Sequence, residues 1–342
     1  SIEQLTSSNT DHLHFPVLYF HVPETVVKTE QGNQVIIQGV ETPEAMHFIA
    51  SFFRRLKIKT CDSGTGSFHA RISKEEYLKA VNKLKEHIQR GDIYEINFCQ
   101  EYFSEQVELT DPVSVYATIN TVTQAPFSVY LQHDQFHAFC GSPERFLQKK
   151  GATVRSQPIK GTARRGATEN EDEYLKTELV NNPKERSENV MIVDLMRNDF
   201  GSICESGSVD VPRLLASEAH PGLIHLVSDV VGRLRENIKW SEIVKALLPA
   251  GSISGAPKSS ALKSISEIEK VARGPYCGVI GWVQGEQAVL SVGIRIFWSH
   301  GDGQLNFGTG AGITWASQPQ GEWEETELKA KRLISIASGV LV

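Results

Sequence analysis

The chain has 342 residues, of which 40% are hydrophobic and 22% charged, and its formal net charge is -6 at pH 7. This is the composition of an ordinary globular protein, and the length allows one large domain or two smaller ones. No long basic run and no apolar stretch of about 20 residues occurs, so we expect neither a nucleic-acid partner nor a membrane span. The five cysteines lie far apart without a CxxC pattern, which predicts reduced thiols in a cytoplasmic protein.

The first part of the chain predicts two strands and a helix. Two short apolar runs at residues 15–22 and 34–40 flank a polar segment and indicate a hairpin or two separate strands. Residues 43–57 predict a helix. Residues 60–68 are rich in Gly, Ser and Thr and therefore predict a loop.

Start and stop signals mark the helices that follow. Ser73 and Glu76 form a capping box, apolar residues repeat behind them at helical spacing, and Gly91 ends the helix. A helix pair at residues 170–199 is broken at Pro183, with Asn182 as the cap of the second helix. Further predicted helices cover residues 240–248, 257–273 and 321–338.

Alternating and β-branched segments predict the strands. They cover residues 93–103, 126–140, 152–159, 208–235, 277–300 and 304–307, with turns at Pro221-Gly222 and Gly285-Glu286. The Gly-Thr-Gly-Ala-Gly segment at residues 308–312 predicts a loop. Because strands come in adjacent pairs with helices between them, antiparallel pairing is favoured.

Lys160 stands at the end of a predicted strand, directly before Gly161. For an isolated Ile-Lys-Gly, a solvated surface charge is the better interpretation. The alternative is an amine nucleophile whose surroundings lower its pKa. The rest of the sequence favours the nucleophile.

Two Glu-x-x-Glu pairs form a candidate metal site. Glu185 and Glu188 lie on the helix that Pro183 opens, and Glu322 and Glu325 lie on the C-terminal helix. Residues three apart share a helix face, and two such faces opposed would suit Mg²⁺. A single pair of this kind is usually solvated, but an apolar segment follows Glu188 and predicts a buried helix.

Four further features have both a structural and a functional interpretation. Lys329 is either an ordinary i,i+4 partner of Glu325 or a contact to an anion beside the metal. The glycines of residues 308–312 can offer backbone N–H groups to a carboxylate. Arg295 alternates with apolar neighbours and therefore needs an anionic partner on the buried side. A carboxylate of the protein, in a structural salt bridge, and a substrate carboxylate are equally suitable. For His225 the default is a hydrogen-bonded core histidine.

Six short motifs follow one another along the chain. They are Ser142-Pro-Glu-Arg-Phe146, Pro158-Ile-Lys-Gly-Thr162, the segment 188–199, Gly255-Ala-Pro-Lys258, Tyr276-Cys-Gly278 and Gly310-Ala-Gly-Ile313. This is the order found in chorismate-utilising enzymes, and the chain resembles that family over roughly residues 73–338. The resemblance implies an α+β fold of two packed antiparallel sheets with helices outside. It also implies a single chorismate-binding domain over residues 1–342, with a shortened N-terminal portion (1–70) and a catalytic core (71–342).

The resemblance further implies a Mg²⁺ site that holds the substrate's ring carboxylate. The ligands would be Glu188 and Glu325, with Glu185 and Glu322 near them or acting through water. The other groups around the ring carboxylate would be Gly310, Ala311, Gly312, Ser252 and Lys329.

The remaining implied roles concern the enolpyruvyl side chain and the reacting ring. Tyr276 and Arg295 would hold the enolpyruvyl carboxylate, and His225 would lie beside the ring. Glu144 matches the general acid–base of the family.

Within the family, a lysine at position 160 resembles the branch that aminates chorismate at C4, whereas the anthranilate branch has alanine there. Nitrogen at C4 with retention requires two displacements, first by Lys160 at C2 and then by ammonia at C4. Glu144 would protonate the departing hydroxyl. The amine must be free, and we expect Mg²⁺ and partial desolvation to lower the pKa of Lys160 below its ordinary value of about 10.4.

The sequence therefore predicts Mg²⁺- and ammonia-dependent formation of 4-amino-4-deoxychorismate, in the folate pathway. The resemblance implies that ammonia would come from a glutamine amidotransferase subunit. This chain contains no Gly-x-Cys-x-Gly nucleophile elbow, so glutaminase activity is not built in. The alternatives are an anthranilate synthase component and a non-catalytic subunit that binds an amidotransferase. Glu95 stands where relatives often carry glutamine and isochorismate synthases carry lysine, which counts against isochorismate synthesis.

Overall fold

A computed structural model of the chain describes most residues from 67 onwards and less of the N-terminal portion. The described residues are 9, 11, 17–30, 34–39, 42–44, 47, 51, 67–105, 107, 109, 111–220 and 222–341, the last four of these by backbone alone. The helix predicted at residues 43–57 and the loop predicted at residues 60–68 fall mostly outside them. The division of the domain at residue 70 therefore stays a prediction.

The N-terminal portion contains a small hairpin. Strands β1 (Thr25–Glu30) and β2 (Gln34–Gly39) pair in antiparallel fashion. The second strand was predicted, but a first strand at residues 15–22 is wrong for the described residues 17–22, which are irregular. The strand begins later because Thr25, Val26 and Val27 favour extended backbone.

Two seven-stranded antiparallel sheets contain the other strands of the described residues, so the predicted pairing mode is confirmed. The strands of the first sheet are β7 (Arg145–Lys150), β8 (Thr153–Gln157), β9 (Ile159–Arg164), β10 (Asp210–His220), β11 (Leu223–Arg233), β13 (Val279–Gln284) and β14 (Gln287–Val292). Those of the second are β3 (Phe68–Ala70), β4 (Glu95–Ser104), β5 (Phe127–His133), β6 (Phe136–Ser142), β12 (Gly255–Ala256), β15 (Ile296–Ser299) and β16 (Leu305–Thr314). The first sheet has the order β10-β11-β8-β7-β14-β13, with β9 beside β11. The second has the order β12-β4-β16-β15-β6-β5, with β3 beside β4.

Seven helices and one 3₁₀ turn accompany the sheets in the described part of the chain. They are α1 (Lys74–Gln89), α2 (Pro112–Thr123), α3 (Glu169–Asn181), α4 (Pro183–Gly201), α5 (Trp240–Leu247), the 3₁₀ turn Gly251–Ile253, α6 (Lys258–Ile268) and α7 (Pro319–Leu341). None of these helices combines the length and apolar character that crossing a membrane would require. The largest core joins both sheets and α4, through side chains such as Leu147, Trp298 and Phe200. The α+β fold of two packed antiparallel sheets is thus confirmed.

Local capping chemistry explains why several helices begin where predicted. The Ser73 hydroxyl accepts from the Glu76 N–H while the Glu76 carboxylate accepts from the Ser73 N–H, so the capping box is present. Asn182 caps α4, whose first residue is Pro183. The helix predicted at residues 257–273 ends already at Ile268.

Helix α2 and strand β7 have no counterpart in the predicted elements. Helix α2 is rich in Val, Thr and Ile, which favour strands. It forms because Asp111 caps it, Pro112 suits its first turn, and it packs on α7 and β6. Tertiary packing overrides propensity here.

The glycine-rich segment at residues 308–312 is not a loop, so that prediction is wrong. These residues lie inside β16 and pair with β4. Their glycines face bulky neighbours: a Cβ on Gly308 would overlap the Tyr276 ring, and one on Gly310 would lie 2.9 Å from Cys99 Sγ. Glycine is needed here for close approach, not for turning.

The segment at residues 277–300 is only partly a hairpin. Strands β13 and β14 turn at Gly285-Glu286 as predicted, but the chain then leaves the first sheet and enters the second as β15. Arg295 lies in this crossing with φ of 50°. Because Arg295 is not part of a strand, the alternation argument for its direction does not apply. The segments 126–140 and 152–159 likewise each contain parts of two strands, with breaks at Asp134 and Pro158.

Candidate active site

Lys160 lies on β9 with a side chain that is only 12% exposed, so it is not a solvated surface charge. Its ammonium group forms an ion pair with Glu95 Oε1. Glu95 begins β4, where it pairs with Ala256 of β12. The two sheets therefore supply the two partners of this contact.

Gly312 makes room for the Lys160–Glu95 pair. A Cβ at Gly312 would lie 2.9 Å from Glu95 Oε1 and 3.2 Å from Lys160 Nζ. The same Cβ would lie 3.8 Å from Glu188 Oε2. Gly312 thus leaves room for the contact between the amine and the Glu95 carboxylate, with Glu188 nearby.

Glu144 is buried beside Lys160, in the gap between β6 and β7. The Ser252 hydroxyl donates to Glu144 Oε1 at 2.6 Å. Burial raises the pKa of Glu144 to about 7, although the Ser252 hydrogen bond and the Lys160 charge oppose the shift. A carboxyl group with this pKa can hold a proton at neutral pH and release it, as a general acid–base must.

The pKa of Lys160 is shifted in the direction opposite to our expectation. Burial favours the neutral amine, but the charges of Glu95, Glu188 and Glu144 outweigh burial and raise the pKa above its ordinary value. The expected lowering is therefore wrong for the metal-free protein. The expectation considered the metal and desolvation but not the carboxylate of Glu95.

Helices α4 and α7 bring the two Glu-x-x-Glu pairs towards each other around a lysine. Lys184 Nζ lies 3.9 Å from Glu188 Oε1 and 3.9 Å from Glu322 Oε1. Burial lowers the pKa of Lys184, but the charges of Glu188, Glu322, Glu325 and Glu185 together raise it. The Lys184 ammonium group therefore lies among the four carboxylates.

The same carboxylates do not form a ready-made coordination shell. Among the residues that the structure describes, no three His, Cys, Asp or Glu side chains converge closely enough to hold a metal ion. However, Glu188 Oε1 is buried and accepts no hydrogen bond from the described residues. Burial also raises the pKa of Glu188 to about 7. An orphaned buried carboxylate oxygen beside a half-exposed lysine fits a cation site once that lysine moves aside.

The open edge of β16 presents backbone donors next to Lys329. Asn97 and Cys99 of β4, which lie opposite Gly312 and Gly310, direct their N–H groups away from β16 to other acceptors. These are therefore non-hydrogen-bonded pairs, and the N–H groups of Gly310 and Gly312 also point away from β4. Lys329 Nζ donates to the Gly310 carbonyl at 2.9 Å and lies 2.8 Å from Glu325 Oε1.

A cationic cluster lies around Arg295. No described carboxylate is within ion-pair distance of Arg295 or Arg332. Burial and then the charge of Arg332 lower the pKa of Arg295 to about 10. His225 is buried, contacts Thr162 Oγ1 at 3.1 Å, and has a pKa lowered to about 3 by burial and by Arg295, His220 and Arg332. His225 is thus a neutral, hydrogen-bonded histidine, as the default interpretation has it, next to two unpaired arginines.

Tyr276 has different surroundings from Arg295. Its ring is buried against Gly308, and burial together with Cys99 and Cys277 raises its pKa well above the usual range. Cys99 Sγ and Cys277 Sγ are 3.9 Å apart, and both thiols are free. A shared role of Tyr276 and Arg295 stays a prediction.

Three residues of the site received no role from the sequence. Glu95 was noticed only as a departure from relatives, whereas Lys184 and Arg332 were not considered. Lys184 lies four residues before Glu188 on α4, and Arg332 lies seven residues after Glu325 on α7. Helical spacing could have indicated that each shares a face with a candidate ligand.

The chain is similar to known chorismate-using proteins. A profile of the chorismate binding enzyme family matches residues 1–335. Aminodeoxychorismate synthase component 1 of Bacillus subtilis (strain 168) is 38% identical over 266 residues, which cover 78% of this chain and 56% of that protein. Anthranilate synthase component 1 of Aquifex aeolicus is 37% identical over 270 residues, covering 78% and 54%. The chain therefore spans little more than half the length of these two relatives.

Solved structures share the fold. Anthranilate synthase component I from Streptococcus pneumoniae TIGR4 superposes with a TM-score of 0.85 at 27% identity, over 95% of this chain and 75% of that one. MenF, the menaquinone-specific isochorismate synthase from Escherichia coli, superposes with a TM-score of 0.72 at 19% identity, over 86% and 68%. The second likeness concerns the fold alone.

Proposed function

The chain belongs to the family of chorismate-binding enzymes, and from this premise we propose that it aminates chorismate to 4-amino-4-deoxychorismate through a covalent Lys160 intermediate. The observation that carries the proposal is the buried Lys160 amine beside Glu144 and Glu95. An amine enclosed with an acid–base carboxyl is the pair that two successive displacements require.

In the proposed reaction the Lys160 nitrogen attacks C2 while the bond between C4 and its hydroxyl oxygen breaks. Protonated Glu144 donates a proton to that oxygen, and water leaves. Ammonia then attacks C4, the bond between C2 and the Lys160 nitrogen breaks, and Glu144 takes a proton from the new ammonium group. The pKa of about 7 supports Glu144 in both roles.

We propose Mg²⁺ as the cofactor, with Glu188 and Glu325 as ligands and Glu185 and Glu322 near them. When bound, Mg²⁺ supplies positive charge that attracts a substrate carboxylate. The orphaned oxygen of Glu188 and the position of Lys184 among the four carboxylates support this assignment.

The substrate carboxylates would bind to backbone N–H groups and to cationic side chains of the site. The outward N–H groups of Gly310 and Gly312, with Ala311 between them and Lys329 alongside, suit the ring carboxylate. Arg295 suits the enolpyruvyl carboxylate, because it is mostly buried without a counter-ion among the described residues. Ser252 donates to Glu144, so we assign it to orienting the acid–base.

A second protein would supply ammonia. The B. subtilis relative is named as component 1 of its synthase, which supports a partner component for this chain as well. We propose a glutamine amidotransferase subunit in that role. The four described cysteines are free and buried, which supports the cytoplasm as the setting.

One assay tests the proposal. The purified chain is incubated with chorismate, Mg²⁺ and ammonium chloride, and the products are identified by mass spectrometry. We expect 4-amino-4-deoxychorismate, and we expect Lys160→Met to abolish it while the variant still binds chorismate. A product containing no nitrogen, or full amination by Lys160→Met, would contradict the proposal.

Anthranilate synthesis is the second candidate, since the anthranilate synthase relative is about as similar to this chain as the aminodeoxychorismate synthase relative is. Anthranilate is fluorescent, so the same assay separates the two products. If anthranilate is the main product and Lys160→Ala still forms it, the second candidate replaces the first.

A further inference from the structure

We propose that Glu95 is the base that takes the proton from Lys160 and thereby frees the amine to attack the substrate. This inference rests on the proposed function, because it concerns the step in which Lys160 becomes a nucleophile. It assigns a catalytic residue, since the Glu95 carboxylate touches the reacting nitrogen.

Glu95 is buried and is held in place by its contact with Lys160. Its side chain is 1% exposed, and Oε1 accepts from the Lys160 ammonium. Its other oxygen, Oε2, is buried and accepts no hydrogen bond from the described residues. A buried carboxylate with one bonded and one unpartnered oxygen is costly, so a structural role alone explains it poorly.

The absence of a side chain at Gly312 preserves this contact. Any Cβ there would lie within 3.2 Å of both Glu95 Oε1 and Lys160 Nζ. The ladder between β4 and β16 holds Gly312 opposite Asn97, two residues from Glu95 on the same strand face. Backbone pairing within this sheet thus fixes Gly312 beside the Glu95 carboxylate, while the amine reaches the carboxylate from β9 of the other sheet.

The other carboxylates that face Lys160 are less suited to this task. The carboxylates whose charges act on the amine are Glu95, Glu188 and Glu144, together with Glu185 and Glu325 of the proposed metal site. Glu144 must deliver a proton to the departing hydroxyl, so it cannot accept one in the same step. Glu188 is a proposed metal ligand and is not hydrogen-bonded to the amine. Glu95 is the carboxylate in contact with it.

The protons balance over the two displacements. Glu95 accepts one proton from the Lys160 ammonium, and the neutral amine attacks C2 while Glu144 protonates the leaving hydroxyl. After ammonia has attacked C4, the bond from C2 to the Lys160 nitrogen breaks and its electron pair returns to that nitrogen. Glu95 then gives its proton back to Lys160, so both groups regain their starting states.

The test measures formation of the Lys160–substrate adduct without ammonia. Enzyme, chorismate and Mg²⁺ are mixed, quenched in acid at fixed times, and analysed by mass spectrometry between pH 6 and 9. For Glu95→Gln we expect adduct formation about 100-fold slower at pH 7, the ordinary loss on removing a general base. We also expect its rate to rise with pH up to about 7, because the amine must then lose its proton to solvent, and to level off above 7, where Glu144 loses the proton that the leaving hydroxyl needs, whereas the wild-type rate should fall there. Glu95→Asp should retain part of the rate.

The matched control is Glu101→Gln, the same change at a buried glutamate on the same strand, which contacts Arg71 rather than Lys160. It should form the adduct at the wild-type rate. If Glu95→Gln forms the adduct as fast as the wild type with the same pH profile, Glu95 is not the base, while the proposed amination stands. If the wild type forms neither adduct nor aminated product, the proposed function fails and this inference fails with it.

Discussion

Two neighbouring regions of the site carry opposite charges, and they differ in how those charges are neutralised. The acidic region comprises Glu185, Glu188, Glu322 and Glu325 and contains a lysine of its own, Lys184. The cationic region comprises Arg295 and Arg332 beside a neutral histidine. No described carboxylate pairs with either arginine.

This difference indicates which kind of ligand each region would bind. Burying unpaired charge costs free energy, so such groups persist where a ligand compensates them. The acidic region has a provisional counter-ion that a divalent cation can replace. The cationic region has none, so a substrate anion would be its first partner. Removing one group at a time from these regions, or from the reaction centre beside them, should separate their roles.

The largest effect should come from the acidic region. Glu188→Gln should weaken Mn²⁺ binding, followed by electron paramagnetic resonance with Mn²⁺ as the probe, by at least about 100-fold. Without metal the variant should melt at the same or a higher temperature at pH 8. Burial raises the pKa of Glu188 to about 7, so the folded protein holds this proton more tightly than the unfolded chain does. The contribution of Glu188 to the free energy of unfolding therefore falls as the pH rises from the ordinary pKa of a glutamate to about 7. Unchanged Mn²⁺ affinity would remove Glu188 from the metal site.

The cationic region should respond in substrate binding instead. Arg295→Met should raise KM for chorismate by about 10- to 100-fold, the range expected for a lost charge-assisted hydrogen bond. Its melting temperature should not fall, because the arginine has no carboxylate partner to lose among the described residues. An unchanged KM, or marked destabilisation, would mean that Arg295 serves the fold.

The reaction centre between the regions should show an alkaline limb in its pH profile. Glu144 acts as an acid only when protonated, and burial places its pKa at about 7. The amination rate should therefore fall about tenfold for each pH unit well above 7, as expected for a required general acid. Glu144→Gln should be slow throughout and lack this limb. A wild-type rate that stays constant to pH 9 would argue against Glu144 as the acid.

The smallest effect should come from Lys184, the counter-ion within the acidic region. Lys184→Met removes the cation that competes for the carboxylates, and should strengthen Mn²⁺ binding by about 2- to 5-fold, the value of a partly exposed ion pair. The matched change Lys176→Met, on the neighbouring helix α3, should leave Mn²⁺ affinity unaltered. Weaker Mn²⁺ binding in Lys184→Met would show that Lys184 supports the site.

Motifs with a local physical cause were predicted correctly. The capping box at Ser73 and the proline start of α4 depend on neighbours within one turn, and both are present. The spacing of the glutamate pairs similarly placed each pair on one helix face. Helix α2 was missed because its β-branched residues favour a strand, and only packing on α7 and β6 makes it a helix.

Glycine composition misled the prediction at residues 308–312. Glycine marks both turns and places where other atoms approach the backbone closely, and local sequence does not separate the two. The ring of Tyr276 over Gly308 and the Lys160–Glu95 pair over Gly312 come from segments far away in the chain. They explain why a glycine-rich strand lies at the centre of the site.

The amino-acid order alone was sufficient for the family and the antiparallel α+β architecture, because the motifs that carry the resemblance and the succession of adjacent strands are both present in the linear sequence. The tertiary structure decided the direction of the Lys160 pKa shift, the lack of a carboxylate partner for Arg295 among the described residues and the place of Lys184 among four carboxylates. Each of these depends on which charges face one another across two sheets and two helices. Electrostatic energy is set by distance and burial, and neither quantity is written along the chain.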